Sequence, residues 1–183
     1  RKSLLEKLAL PFETSSPNID ETPKANEDPS ALVERLSISK AKAVAREYTN
    51  ALIIGSDQVA VYNGEILGKP HTKENAHKQL SLFSGNKVTF LTGLCVYDSK
   101  TNAYQIIVEP FHVHFRTLTE NEIAHYIEKE QPLNCAGSFK SEGLGICLFE
   151  KLVGDDPNSL VGLPLIQLTR LLKDFNVNVL TSD

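Results

Sequence analysis

The apolar run Leu52-Ile53-Ile54 breaks off at Gly55-Ser56-Asp57, and helical spacing takes over both upstream and downstream of it. That interleaving constrains the fold more than any other feature, because a buried strand set between helices calls for a sheet with helices packed on it. Upstream, Asp28-Pro29 reads as an N-cap with Pro at the first helical position. Leu32, Val33, Leu36, Ala43 and Val44 then carry the helix to about Glu47. Downstream, Val59, Val61 and the Asn63-Gly64 turn predict a hairpin. Thr72 caps a helix through about Phe83, which Ser84-Gly85-Asn86 ends. Val88 to Tyr97 and Tyr104 to Arg116 predict two long strands joined by the polar turn Asp98 to Asn102. Thr119 and Glu122 form a capping box for a helix carrying Ile123, Tyr126 and Ile127. Gly145 to Leu152 predicts a strand, Pro164 opens a last helix with Leu165, Leu168, Leu171 and Leu172, and Val177 to Leu180 predicts an edge strand. Near the start, the spacing predicts a short helix over Lys2 to Leu8 and a short strand over Phe12 to Ser15. Pro17 to Ser30 reads as a long polar loop, a length that often carries function. The predicted class is α/β with a mixed sheet.

At 41% hydrophobic and 23% charged residues over 183 positions, the chain has a globular composition rather than a disordered one. No apolar run is long enough to span a membrane. A net charge of −4 without a Lys/Arg tract argues against binding a nucleic-acid polymer, so an anionic ligand needs a local cluster of cations. Cys95, Cys135 and Cys147 are too few and scattered for a disulfide framework, and no CxxC pair suggests zinc. A reducing cytoplasm fits this usage. The chain starts at Arg1, contains no Met and shows no apolar signal, so its natural beginning is expected to be missing.

Several positions invite chemistry, each with a plainer alternative. Asp57, placed by the pattern at the end of an apolar strand, suits Mg²⁺ binding or proton abstraction from water, or else caps a turn. Gly68-Lys69-Pro70 is not a Walker loop, since the upstream glycine and the Ser/Thr are missing. Lys69 is either a fixed charge for phosphate or a solvated surface lysine. In Lys40-Ala41-Lys42-Ala43, small neighbours let the helix lie close to a sheet, so Lys40 either reaches over a cleft or faces solvent. His112 and His114 share a strand face, but two ligands without a third favour a packed or surface pair over a metal site. Glu142, in Gly137-Ser138-Phe139-Lys140-Ser141-Glu142-Gly143, either pairs with the donor edge of a guanine or is a solvated acid in a turn. Nothing marks Cys135 as a nucleophile.

In order along the chain stand Arg1-Lys2-Ser3-Leu4-Leu5, Asp20-Glu21-Thr22-Pro23, Lys40-Ala41-Lys42-Ala43, Gly55-Ser56-Asp57-Gln58 and Gly68-Lys69-Pro70. Thr92-Gly93, Ala136-Gly137-Ser138 and Val161-Gly162-Leu163-Pro164-Leu165 complete the set. Together they resemble the Maf family of nucleotide pyrophosphatases over nearly the whole length. The resemblance implies an inosine-triphosphatase-like, elongated mixed sheet flanked by helices. It implies a single domain over 1–183 with two lobes around a central cleft, the family's opening strand and Ser-x-Ser-Pro segment being absent. It further implies a cytoplasmic enzyme, a possible homodimer, and hydrolysis of a nucleoside triphosphate to monophosphate and pyrophosphate with Mg²⁺ or Mn²⁺. Carried over by position, Asp57 resembles the catalytic proton acceptor, and Arg1, Lys40 and Lys69 resemble the phosphate-side cations. Glu21 resembles a second cleft acid, a metal ligand together with Asp57.

Gln58 and Glu142 are similar to the pair found in the branch that prefers 7-methyl-GTP, where the dTTP/UTP branch usually carries Thr and Gln. N7-methylation makes the purine cationic, and a carboxylate attracts a cation where an amide does not. The alternatives are the dTTP/UTP or modified-pyrimidine activity of the sister branch, and a nucleotide-binding regulator of cell division with little catalysis.

Overall fold

A computed structural model describes residues 1–183. One five-stranded sheet has the order β2-β1-β3-β4-β5, from β1 (Leu52–Tyr62), β2 (Glu65–Leu67), β3 (Lys87–Asp98), β4 (Tyr104–Phe115) and β5 (Phe149–Val153). The helices are α1 (Lys2–Leu5), α2 (Pro29–Ala45), α3 (Lys73–Phe83), α4 (Glu120–Glu130), α5 (Pro157–Val161) and α6 (Leu165–Asp174). The expected α/β class, a sheet flanked by helices, is present, and its strands pair antiparallel where a mixed sheet was predicted. Ala60 faces Leu67 across β1 and β2, and Val113 faces Leu152 across β4 and β5. Backbone amides join Ser99 to Ala51 at 3.0 Å and Asp98 to Ala103 at 2.8 Å, the antiparallel sense for β1–β3 and β3–β4. The short β3–β4 connection, Ser99 to Ala103, cannot make parallel neighbours, which need a crossover.

Contacts divide the chain into two compact units. The first comprises residues 1–58, 91–109 and 156–183, and the second comprises 59–90 and 110–155. In the first unit, α6 lays Leu165, Leu168, Leu171 and Leu172 on Leu94 and Val96 of β3, with Leu4 of α1 against the same cluster. The alternate residues Cys95 and Tyr97 face Ala41 of α2 and Ile53 of β1. Alternation thus assigns one face of β3 to each helix, and both faces are buried. The Cys95 thiol is free, and burial pushes it up to about 12. The second unit is held by edge-to-face aromatics around Phe139, whose ring centroid lies 5.1 Å from Phe149, 5.5 Å from Phe115 and 5.4 Å from Phe90.

Local signals fix the helix starts. Asp28 accepts from the Ser30 and Ala31 amides at 2.8 and 3.1 Å, and the Thr119–Glu122 capping box closes as predicted. Four expectations need correction. The first apolar run does not end at Gly55, because β1 continues to Tyr62 and leaves Asp57 in mid-strand. Phe12 to Ser15 forms no strand: Pro11 and Pro17 bracket it, and no neighbour pairs with it. Val177 to Leu180 turns instead, with the Asn178 side chain accepting from the Leu180 amide at 3.1 Å. Gly145 to Leu152 splits into a 3₁₀ turn (Leu144–Leu148) and β5. Helix α5 went unread although Asp156-Pro157 repeats the Asp28-Pro29 signature. Asp156 is fully buried, capping α5 through Asn158 at 2.8 Å and bonding the Ile166 amide at 2.9 Å.

Candidate active site

Helix α2 lies directly on the sheet because two glycines make room for it. A Cβ at Gly55 would stand 2.3 Å from the Ser37 carbonyl oxygen, and one at Gly93 would stand 2.4 Å from the Ser37 hydroxyl and the Val33 carbonyl. Ser37, fully buried, donates to the Val33 carbonyl at 2.6 Å and accepts from the Asp57 amide at 3.1 Å. That bond ties the backbone of Asp57 to the middle of α2. One turn further along α2, Lys40 meets the Asp57 carboxylate.

Lys40 Nζ lies 2.8 Å from Asp57 Oδ1 and 3.0 Å from Glu21 Oε1. Asp57 and Lys40 are largely enclosed, with side chains 14% and 17% exposed, whereas Glu21 is 59% exposed. Arg1 joins them electrostatically: burial lowers its guanidinium from the usual value, while Asp57 and then Glu21 pull in the other direction. Arg1 Nε also donates to the Gly162 carbonyl at 2.7 Å. Lys40 therefore pairs with Glu21 and Asp57 from separate stretches, and Arg1 lies within electrostatic reach of both acids without an ion pair to either. Arg1, Glu21 and Lys40 line a cavity of 1150 Å³ that runs along β1 at Gly55 and Ser56. Asp57 itself is not among the residues that line this cavity.

Gln58 is the strand neighbour of Asp57 and projects to the opposite face. Its amide group donates to Thr92 Oγ1 at 2.9 Å and to the Ser159 carbonyl at 2.8 Å. Buried Glu109 accepts from the Ser159 hydroxyl on that face. The Gln58 side chain is therefore not gathered with those of Asp57 and Lys40.

Lys69 and Glu142 belong to the second unit. Both lie close enough to Cys135 to act on its thiol: burial pushes the thiol up, helped by Glu142, while Lys140 and Lys69 oppose the shift. Asn75 and Gln79, one turn apart on α3, donate to the Pro70 and Gly68 carbonyls at 3.0 and 3.1 Å and so grip the backbone on both sides of Lys69. Gln79 also accepts from the hydroxyl of Ser138, a fully buried residue with φ +61° that follows Gly137 at φ +78°. Non-glycine residues adopt such a conformation where surrounding structure imposes it. Sequence reasoning missed Ser37, Asn75 and Gln79. A helical spacing of four between two amides opposite Gly68-Lys69-Pro70 was the available signal for the last two.

His112 bonds Thr89 Oγ1 at 2.9 Å, and no group of three His, Cys, Asp or Glu side chains gathers around the pair. No helix is long and apolar enough to cross a membrane.

The profile of the family described as "Maf-like protein" matches residues 1–175. The chain is similar to a protein of Pseudoalteromonas translucida (strain TAC 125) named "7-methyl-GTP pyrophosphatase", with 62% identity over 182 residues, 100% of this chain and 90% of the relative. It is also similar to a protein of the same name from Colwellia psychrerythraea (strain 34H / ATCC BAA-681), with 64% identity over 180 residues, 98% of this chain and 90% of the relative. Whole-length matches of this kind show that the chain belongs to the Maf family.

Proposed function

We propose that this protein is a nucleoside triphosphate pyrophosphatase that hydrolyses 7-methyl-GTP to 7-methyl-GMP and pyrophosphate. The observation that carries the reading is the enclosed Lys40–Asp57 contact at 2.8 Å, with Glu21 on the same ammonium and Arg1 beside both acids. The relatives' names supply the substrate.

Water attacks the α-phosphorus. An oxygen–phosphorus bond forms as the bond to the bridging oxygen breaks, and pyrophosphate leaves. Asp57 orients the water and accepts its proton, a role that needs a carboxylate held in place rather than a mobile one. The Lys40 ammonium fixes that carboxylate, and the Ser37 bond fixes the backbone behind it. Arg1, Lys40 and Lys69 offset the charge that builds on the departing pyrophosphate. Glu142 provides the negative charge that favours a cationic methylated purine over a neutral base.

The donor set fits a divalent cation. Asp57 and Glu21 are drawn together by one ammonium, Lys40, and both carry the hard oxygens that Mg²⁺ and Mn²⁺ take, so a cation would share these carboxylates with Lys40. Asp57 and Glu21 would hold the cation, which when bound supplies charge neutralisation at the phosphates.

The test is product analysis across 7-methyl-GTP, GTP, dTTP and UTP. The reading requires pyrophosphate and 7-methyl-GMP as products, with 7-methyl-GTP the best substrate. Release of inorganic phosphate alone, or tight nucleotide binding with no cleavage, would overturn it.

A further inference from the structure

Glu21 raises a physical question. It sits in an irregular stretch, residues 9–28, and its side chain is 59% exposed. An exposed carboxylate on a loop does not hold a fixed position through a single ammonium contact. Something must fix the backbone that carries it.

The backbone on both sides of Glu21 is pinned. Thr22 donates its amide to Asp20 Oδ1 at 2.9 Å and its carbonyl accepts from Arg35 Nη2 at 3.2 Å. The same guanidinium forks onto Glu27, with Nε 2.7 Å from Oε2 and Nη2 2.8 Å from Oε1. Glu27 Oε1 also accepts the Lys24 amide at 3.1 Å, which closes the turn. The Arg35 guanidinium, followed by the Lys24 amide, holds the Glu27 carboxyl down to about 2, so it is ionised throughout the neutral range. Arg35 and Lys40 belong to the same helix, α2. One rigid element therefore positions both the ammonium and the loop that meets it. A planar fork suits this task, because it fixes direction as well as distance.

We propose that Arg35 and Glu27 are a positioning pair for the catalytic centre, holding the 20–27 segment so that the Glu21 carboxylate faces Lys40 and Asp57. This rests on the pyrophosphatase reading, and neither residue touches the reacting atoms. Misplacement of a site group by about an ångström can lower the rate by roughly a hundredfold. Arg35→Lys keeps the charge and loses the fork. It should lower kcat about tenfold to a hundredfold, with KM for the nucleotide little changed.

The decisive arm is a cycle with Glu21→Gln. If Arg35 acts through Glu21, adding Arg35→Lys to Glu21→Gln lowers kcat by less than about twofold, because interacting sites are not additive. A full multiplicative loss in the double variant, or no loss from Arg35→Lys alone, would overturn the proposal. Hydrogen exchange supplies a readout without activity: Arg35→Lys and Glu27→Gln should each speed amide exchange across 20–27 while leaving α4 unchanged. Unchanged exchange in that segment would overturn the positioning role. Faster exchange in an enzyme that cleaves no nucleotide would leave the clamp standing and retire the pyrophosphatase reading instead.

Discussion

Ser37 shows how much one side chain sets at this site. Its hydroxyl faces the Val33 carbonyl and the Asp57 amide together, so removing it strands the amide behind the catalytic candidate. Ser37→Ala should lower the unfolding free energy by about 1–3 kcal/mol, measured by urea denaturation. Glu142→Gln tests a different link. It should erode the preference for 7-methyl-GTP over dTTP and UTP in competition assays without abolishing turnover, and an unchanged ratio would remove Glu142 from the specificity argument. Asp57 and Lys40 could be picked out in the sequence because each sits in an ordered motif. Ser37 could not, since a serine within a helix reads as a neutral helical residue until the strand it meets, twenty positions away in Asp57, is known to lie against it.

The elements that matter most are α2 and β1, and the small residues between them set their spacing. A methyl group would meet the Ser37 carbonyl oxygen at 2.3 Å from Gly55, and the Val33 carbonyl oxygen and Ser37 hydroxyl at 2.4 Å from Gly93. Gly55→Ala should therefore cost about 1–3 kcal/mol or more through overpacking. It should also cut turnover, by lifting Lys40 away from Asp57. Thermal unfolding read beside activity checks both effects. Helix boundaries were readable because caps are local: Asp28-Pro29, Thr72 and Thr119 with Glu122 each act within a few residues. Strand ends were less so. Gly55 looked like a terminus, yet it is the point where a helix crosses a continuing strand, a reason visible only in the packing. Val177 to Leu180 has the apolar spacing of a strand, but Asn176 at φ +63° and the Asn178 side chain turn it.

For the molecule as a whole, exposed carboxylates held down by arginines contribute to the acid response. Glu27 is held down to about 2 chiefly by Arg35, and Glu122 to about 2 chiefly by Arg116, with the Thr119 amide adding to it. Each group's folded value lies below its ordinary value, so its contribution to stability is complete above about pH 4.5 and is lost as pH falls toward 2. The urea midpoint should hold steady from pH 7 to 5 and drop between pH 4.5 and 2. Glu27→Gln with Glu122→Gln should flatten that drop. A wild-type midpoint that does not change across this range would contradict the assignment. The α/β class was legible from interleaved helical and strand patterns, and Arg1, Glu21, Lys40 and Asp57 stood out only through the family resemblance that their motifs carry. The sorting of Lys69 and Glu142 into a separate compact unit was not, because sequence order carries no information on which distant segments pack together.

The central claim is that the Asp57 carboxylate takes the proton from the attacking water. Single-turnover pyrophosphate release by Asp57→Asn, run beside nucleotide binding, tests it most directly. The account expects binding within a few-fold of wild type and a cleavage rate lower by about 10²–10⁴. A variant that cleaves 7-methyl-GTP at close to the wild-type rate would contradict it.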